Sequence, residues 1–288
     1  MSNLLRLISS RFGPTVITGT PGDDRLVGEG LFNLFDIRGL AGNDTLRGGG
    51  GSDTLDGGPG DDDLFDTRGN DSLVGGAGDD TLVSDETNLG GGGFNTLMGG
   101  DGDDRLVGIN AFHVMDGGNG HDTMIGGNRA DTMDGGEGDD SINGGGAADL
   151  LRGNAGNDSV DGGVGNDSIF GDDGNDTLHA GEGNDTIQGG AGRDRIVSNN
   201  GFNSLSGGAN GDILISGASF DTLNGDAGGD RLQGAEGNDR LFGGVGNDVL
   251  LGGDDNDQLF GDDGQDSLMG EEGNDNLIGG KRNDVLNG

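Results

Sequence analysis

The chain has 288 residues and a formal net charge of −38; glycine supplies 71 residues and hydrophobic types only 29%. Taken alone, this composition describes a disordered chain, with too little apolar surface to offset its conformational entropy. The absence of Cys, Trp and Tyr excludes disulfides, thiolate metal sites and the usual aromatic platforms for sugars or bases. The negative charge repels nucleic acid and anionic membrane surfaces, and no apolar run is long enough for membrane insertion.

Residues 1–18, MSNLLRLISSRFGPTVIT, differ from the rest of the chain. Leu4, Leu5, Leu7, Ile8 and Phe12 are apolar, and Arg6 and Arg11 are basic. The apolar core is too short for a secretory signal, and no small-residue cleavage site follows it. The segment reads as an N-terminal cap over the first open turn of a stacked fold.

A nonapeptide begins at Gly19 with GTPGDDRLV and continues to the end, so residues 19–288 read as a single domain. It is clearest from Gly153 to Val197: GNAGNDSVD, GGVGNDSIF, GDDGNDTLH, AGEGNDTIQ, GGAGRDRIV. Twenty-nine units align, with an apolar residue at position 8 throughout. Position 6 is Asp in twenty-five of them, the others being Asn33, Asn95, His113 and Asn203. Two residues are inserted between the units of Asn33 and Asp44, and six between those of Asp80 and Asn95. The six fall in SDETNLGGGG, which reads as a bulging loop.

Disorder requires no register, so the exact repeat argues for a fold. Glycines at positions 1, 2 and 4 permit positive φ and close backbone approach, and they rule out a regular helix. Positions 7–9, such as Thr186-Ile187-Gln188, alternate outward, inward, outward as a short strand does. One inward side chain per nine residues is too few for a sandwich or a barrel. It suits a solenoid whose position-8 residues form a thin spine; Met115, Met124 and Met133 read as soft filling of that spine. Backbone carbonyls of a glycine turn and the position-6 carboxylate converge on one region. Ca²⁺ takes six to eight hard oxygen ligands in tolerant geometry. Mg²⁺ demands a tighter octahedron, and Zn²⁺ finds no Cys and only three scattered His.

These units resemble the RTX (hemolysin-type) repeat G-G-x-G-x-D-x-U-x over about residues 19–287. The resemblance implies an all-β parallel β-roll with two nonapeptides per turn, about fourteen turns here. It also implies calcium held between turns by glycine-turn carbonyls and position-6 Asp. That role transfers to Asp44, Asp53, Asp62, Asp71, Asp80, Asp104, Asp122, Asp140, Asp158, Asp167, Asp176, Asp185, Asp194, Asp230, Asp239, Asp248, Asp257, Asp266 and Asp275. Relatives usually carry a toxin, protease, lipase or epimerase domain, and none is found here. They also end in a non-repetitive segment used for type I secretion. This chain ends within a repeat, KRNDVLNG, which points to another export route or a longer parent chain.

With two units per turn, alternate units lie on opposite sides. Phe94, Phe112, Phe202 and Phe220 occupy position 5 at spacings that are multiples of eighteen, so they share one side. Phe32 joins them if the insertions preserve the alternation, and Arg129 and Ala147, at position 4, lie on the same side. The opposite side, from Asp104 to Asp194, keeps the full motif and predicts a continuous calcium column. The Phe-bearing side should be interrupted around residues 94–149 and 199–221, with Phe packing in place of ions. His113 reads as a neutral substitution.

Neutralising a charge of −38 takes about 19 divalent ions, and roughly 15–22 calcium ions are expected. Their binding free energy becomes folding free energy. The expected protein is a secreted or cell-surface calcium-binding repeat protein that folds on Ca²⁺ and serves as a structural or interaction element. It is not an enzyme, and its last turn is open to end-to-end self-association. The alternative is an accessory calcium-binding module of a larger RTX toxin, hydrolase or epimerase. Ice binding would need long rows of one outward residue, and position 7 is too mixed for that.

Overall fold

In the computed structural model of the protein, residues 3–8, 13–30, 33–85 and 93–288 are described, with 3–8 described for their backbone. The fold is all-β, with no helix among the described residues. The chain forms two compact units, Met1–Gly146 and Ala147–Gly288. Each is a parallel β-solenoid with two ladders of short strands, and together they hold about fifteen turns.

In the first unit, one ladder starts with Asn3–Ile8, Asp24–Glu29 and Thr45–Arg47 and ends with Ser141–Gly146. The other starts with Thr15–Thr18 and Phe35–Arg38 and ends with Thr132–Glu137. The second unit repeats the plan. Its first ladder runs from Ser159–Val164 to Val285–Asn287, and its second from Leu150–Ala155 to Asn276–Ile278.

Spine residues stack directly on one another: Leu46 pairs with Leu64 and Leu64 with Leu82, while Ile169 pairs with Ile187 and Ile187 with Leu205. All of these are buried, and their flanks alternate, as in Thr186-Ile187-Gln188. Burying each spine Leu contributes about 1.5–3 kcal/mol. Partners are normally eighteen residues apart. The offset becomes twenty where Leu26 meets Leu46, and twenty-four where Leu73 meets Leu97 and Leu82 meets Leu106. Both insertions are thus absorbed between rungs, but the first lies ahead of Phe35 and not after the unit of Asn33 as expected, because Ile37, not Phe35, is the spine residue that stacks on Leu55. A slip of one residue would turn every spine side chain outward. The loop expected over SDETNLGGGG falls mostly on residues 86–92, outside the described residues.

Before the first repeat, Thr15–Thr18 pairs in register with Phe35–Arg38, and Ile17, buried, stacks on Ile37. Asn3–Ile8 pairs with Asp24–Glu29. These residues add a turn that contains no nonapeptide.

Two turn glycines show why the repeat is glycine-rich. Gly58 and Gly60 have φ of +102° and +136°. A Cβ at either would also lie only 2.1 or 2.2 Å from the Leu40 or Gly42 carbonyl of the preceding turn. Backbones therefore stack at carbonyl contact, which glycine meets most easily. Asn154 and Asp172 occupy the equivalent of Gly58 at +72° and +71°, a conformation that short polar side chains tolerate.

Candidate metal centre

The sequence places each position-6 Asp immediately before a strand, so its backbone stands at the rim of a turn. There the Asp residues form a hydrogen-bonded ladder. The Asp104 N–H donates to Asp122 Oδ1 at 2.7 Å, and the Asp122 N–H to Asp140 Oδ1 at 2.8 Å. In the second unit, Asp158 donates to Asp176, Asp176 to Asp194 and Asp194 to Asp212, at 2.8–2.9 Å. Each carboxylate spends one oxygen on the backbone of the turn before it.

The other oxygen has no such use. Oδ2 of Asp44, Asp62, Asp80, Asp104 and Asp122 is buried with no hydrogen-bond donor, as is Oδ2 of Asp176, Asp194, Asp212, Asp230, Asp248 and Asp266. Uncompensated buried carboxylates are costly. The space beside them is shaped by glycine. A Cβ on Gly57 would lie 2.3 Å from Asp62 Oδ2 and 2.8 Å from the Gly75 carbonyl oxygen. On Gly189 it would lie 2.3 Å from Asp194 Oδ2 and 2.6 Å from the Gly207 carbonyl oxygen. An anionic oxygen and a carbonyl oxygen from the next turn thus border the same small space, rung after rung. That all-oxygen donor set fits calcium and offers nothing soft for a transition metal.

Burial shifts the titration of these groups. Desolvation, with repulsion from neighbouring carboxylates added, raises Asp80, Asp104, Asp176 and Asp212 from 3.8 to about 7. Desolvation likewise raises Asp167 and Asp230 to about 6. Backbone N–H donors oppose the shift in each case.

The two sides of the solenoid differ sharply. Within the first unit one ladder carries Asp24, Asp44, Asp62, Asp80, Asp104, Asp122 and Asp140 without exception, and within the second unit Asp158 through Asp284 likewise. Asn95 and His113 in the first unit and Asn203 in the second belong to the other ladder, which also holds Asp53 and Asp71 in the first unit and Asp167, Asp185, Asp239, Asp257 and Asp275 in the second. Asn33, expected at position 6, lies two residues ahead of its rung: Phe35 stands there, its N–H donating to Asp53 Oδ1 at 2.7 Å, while Asn33 Nδ2 donates to the Glu29 carbonyl. Asp257 and Asp275 extend the hydrogen-bonded series, the Asp257 N–H donating to Asp275 Oδ1 at 3.0 Å, although Asp275 is only half-buried.

The substitutions are accommodated individually. Asn95 accepts the Asp71 N–H through Oδ1 at 2.9 Å and donates to Ser84 Oγ at 2.6 Å, a neutral amide–hydroxyl pair. Asn203 accepts the Asp185 N–H at 3.0 Å. His113 Nδ1 lies 3.0 Å from Asp131 Oδ1 with both side chains buried.

The expected part of the Phe residues needs correcting. Phe94 is 66% exposed, Phe202 65% and Phe220 41%. Phe94 and Phe112 stack on each other at 5.0 Å, with the Arg129 guanidinium 5.5 Å over Phe112. Positions 5 and 6 are chain neighbours, so when Asp turns inward the Phe turns outward. The exposed rings of Phe94, Phe202 and Phe220 thus do not pack into the inside of the turn. The hydrogen-bonded series runs on through the Phe-bearing stretches, Asp149 donating to Asp167 and Asp221 to Asp239, each at 2.8 Å. Ala147 keeps the glycine-like turn at φ +81°. Phe32 lies outside the described residues.

The same geometry draws in residues that the motif list left out. Asp131, Asp149, Asp212 and Asp221 sit in the series beside the others. Asp24 does not need an ion, because Thr20 donates to its Oδ2 from both backbone and hydroxyl. Asp66 is the outlier. It stands at position 1, where glycine is the rule, and is buried beside Asp53 and Asp71. Desolvation first, then repulsion from Asp71 and Asp53, pushes it up to about 9. Its signal in the sequence was plain: it is the sole carboxylate at position 1 among twenty-nine units.

A family model of the RTX calcium-binding nonapeptide repeat (4 copies) matches residues 36–64, 56–88, 89–108, 116–151, 143–178, 170–205, 206–241, 233–268 and 269–288. No curated protein sequence matches the chain. Among solved structures, the chain is similar to a hyperactive, Ca²⁺-dependent, β-helical antifreeze protein from an Antarctic bacterium. The identity is 18% and the TM-score 0.32, over 96% of this chain and 85% of the other. With the repeat matched along most of its length and its carboxylates stacked turn upon turn, the chain belongs to the RTX calcium-binding nonapeptide-repeat family.

Proposed function

We propose that the protein is an extracellular calcium-loaded solenoid that folds when Ca²⁺ binds and then acts as a structural or interaction element. The observation that carries this reading is the row of buried Asp Oδ2 atoms that lack donors, each facing a glycine-lined space shared with a carbonyl of the next turn. Calcium would be held by Oδ2 of Asp44, Asp62, Asp80, Asp104, Asp122 and Asp140, and of Asp158, Asp176, Asp194, Asp230, Asp248 and Asp266. On the second side, Asp53, Asp71, Asp167, Asp185, Asp239, Asp257 and Asp275 take the same part. Bound calcium supplies the positive charge that lets these carboxylates stack; the Asp Oδ1 atoms hold the register through the preceding turn.

About 15–22 ions satisfy the net charge of −38. Residues 1–18 serve as the cap of residues 19–288. No catalytic constellation is needed by this reading, since each Asp of the ladders has a structural task. At submicromolar cytosolic calcium the repulsion keeps the chain unfolded; at millimolar extracellular calcium it folds cooperatively. Circular dichroism with calcium and with EDTA is the test. A β signal that appears only with calcium is expected, and an unchanged folded spectrum in chelator refutes the reading.

A further inference from the structure

On the interrupted side of the first unit, Asp53 and Asp71 are consecutive rung carboxylates bounded by the uncharged Phe35, whose N–H donates to Asp53 Oδ1 at 2.7 Å, and Asn95. Between them the chain inserts a carboxylate that the repeat does not call for. Asp66 ends the strand Asp63–Asp66 and is 1% exposed. Its Oδ1 accepts the Thr67 N–H at 2.7 Å, whereas its Oδ2 is buried with no donor, as is Asp53 Oδ2. A Cβ on Gly48 would lie 2.1 Å from Asp66 Oδ2 and 2.8 Å from Asp53 Oδ2, so both oxygens face one glycine-lined space. Ligand oxygens of Asp53, Asp66 and Asp71 all lie within 4.8 Å of one another. Two oxygens on opposite sides of a calcium ion at about 2.4 Å are about 4.8 Å apart, so the cluster has the span of a calcium shell.

We propose that Asp53, Asp66 and Asp71 form a discrete high-affinity calcium site, different from the repeat sites because a third carboxylate takes the place of the position-1 glycine. It rests on the calcium reading of the repeat and adds to it a single ion bound ahead of the rest. Affinity at oxygen sites rises with the number of charged ligands, and here three carboxylates from two consecutive turns serve one ion. The neutral residues on either side keep this site from being one rung of a long row. The site exists only when the turns carrying Asp53 and Asp71 are stacked, so its occupancy fixes that pair of turns.

The test is a calcium titration of the full metal-stripped chain by calorimetry and equilibrium dialysis, beside Asp66→Asn and Asp66→Gly. Asp66→Gly installs the residue that most units have at position 1 and removes a buried charge, so it folds in calcium. The intact chain should bind one ion about tenfold or more tighter than the others. In both variants that class should be lost, with at most one ion fewer in total and the calcium-induced β signal retained. A tight class that survives in both variants, or that is missing from the intact chain, overturns the proposal while leaving the repeat reading intact. Absence of calcium-induced folding in all three chains overturns both.

Discussion

Asp176 illustrates how one side chain serves both ends of the structure. Oδ1 accepts the Asp158 N–H at 2.8 Å and so carries the register, while Oδ2, buried without a donor, carries the charge. Asn203 shows that an amide performs the first task alone. Asp176→Asn should therefore keep the β signal in calcium and lose one or two bound ions. Counting calcium by mass spectrometry under native conditions checks this. Glycine at position 1 has the opposite job, which is to be small. Gly189→Ala would drive a methyl group to 2.3 Å from Asp194 Oδ2 and 2.6 Å from a carbonyl oxygen. A loss of about 1–3 kcal/mol is expected, read as a lower melting temperature in calcium.

At the scale of an element, a strand here is two to eight residues long, and each rung short of the C-terminal end buries one spine residue. No strand is stable alone, and each depends on the two it stacks between. Leu178 is fully buried between Val160 and Ile196. Leu178→Ala should cost about 2–5 kcal/mol in calcium-loaded unfolding. Phe202, larger but 65% exposed, sits on the outward side of its turn; Phe202→Ser should change stability by less than about 0.5 kcal/mol. A contrast in the reverse order would place the core on the wrong side of the turn.

For the molecule as a whole, the ladders are a store of electrostatic cost set against calcium. Without metal, Asp80, Asp104 and Asp176 have folded-state values of about 7, against 3.8 for the ordinary carboxyl, because burial disfavours the charge. A raised value means that the folded form holds its proton more tightly than the unfolded form. The metal-free fold is thus least stable above pH 7 and gains stability as the pH falls from about 7 toward 3.8. Circular dichroism of the metal-stripped chain should show more β structure at pH 4.5 than at pH 8. In the same interval protons compete with calcium, so calcium titrations should show weaker binding at pH 5 than at pH 7.5.

The nonapeptide by itself determined the class of fold, the spine and the chemistry of the site. Its period leaves one inward residue per nine, and only a stacked solenoid can bury that pattern. The eighteen-residue spacing of Phe94, Phe112, Phe202 and Phe220 also told which carboxylates share a side, because a regular solenoid turns spacing into position. The tertiary structure decided what depends on neighbours in the stack. It turned the Phe rings outward, paired His113 with Asp131, satisfied Asp24 through Thr20, and added the non-repeat strands Asn3–Ile8 and Thr15–Thr18 to the ladders. It also brought Asp66 against Asp53, thirteen residues earlier in the chain. A local motif specifies the conformation of its own nine residues, but whether a buried oxygen finds a donor is settled by the turns above and below it.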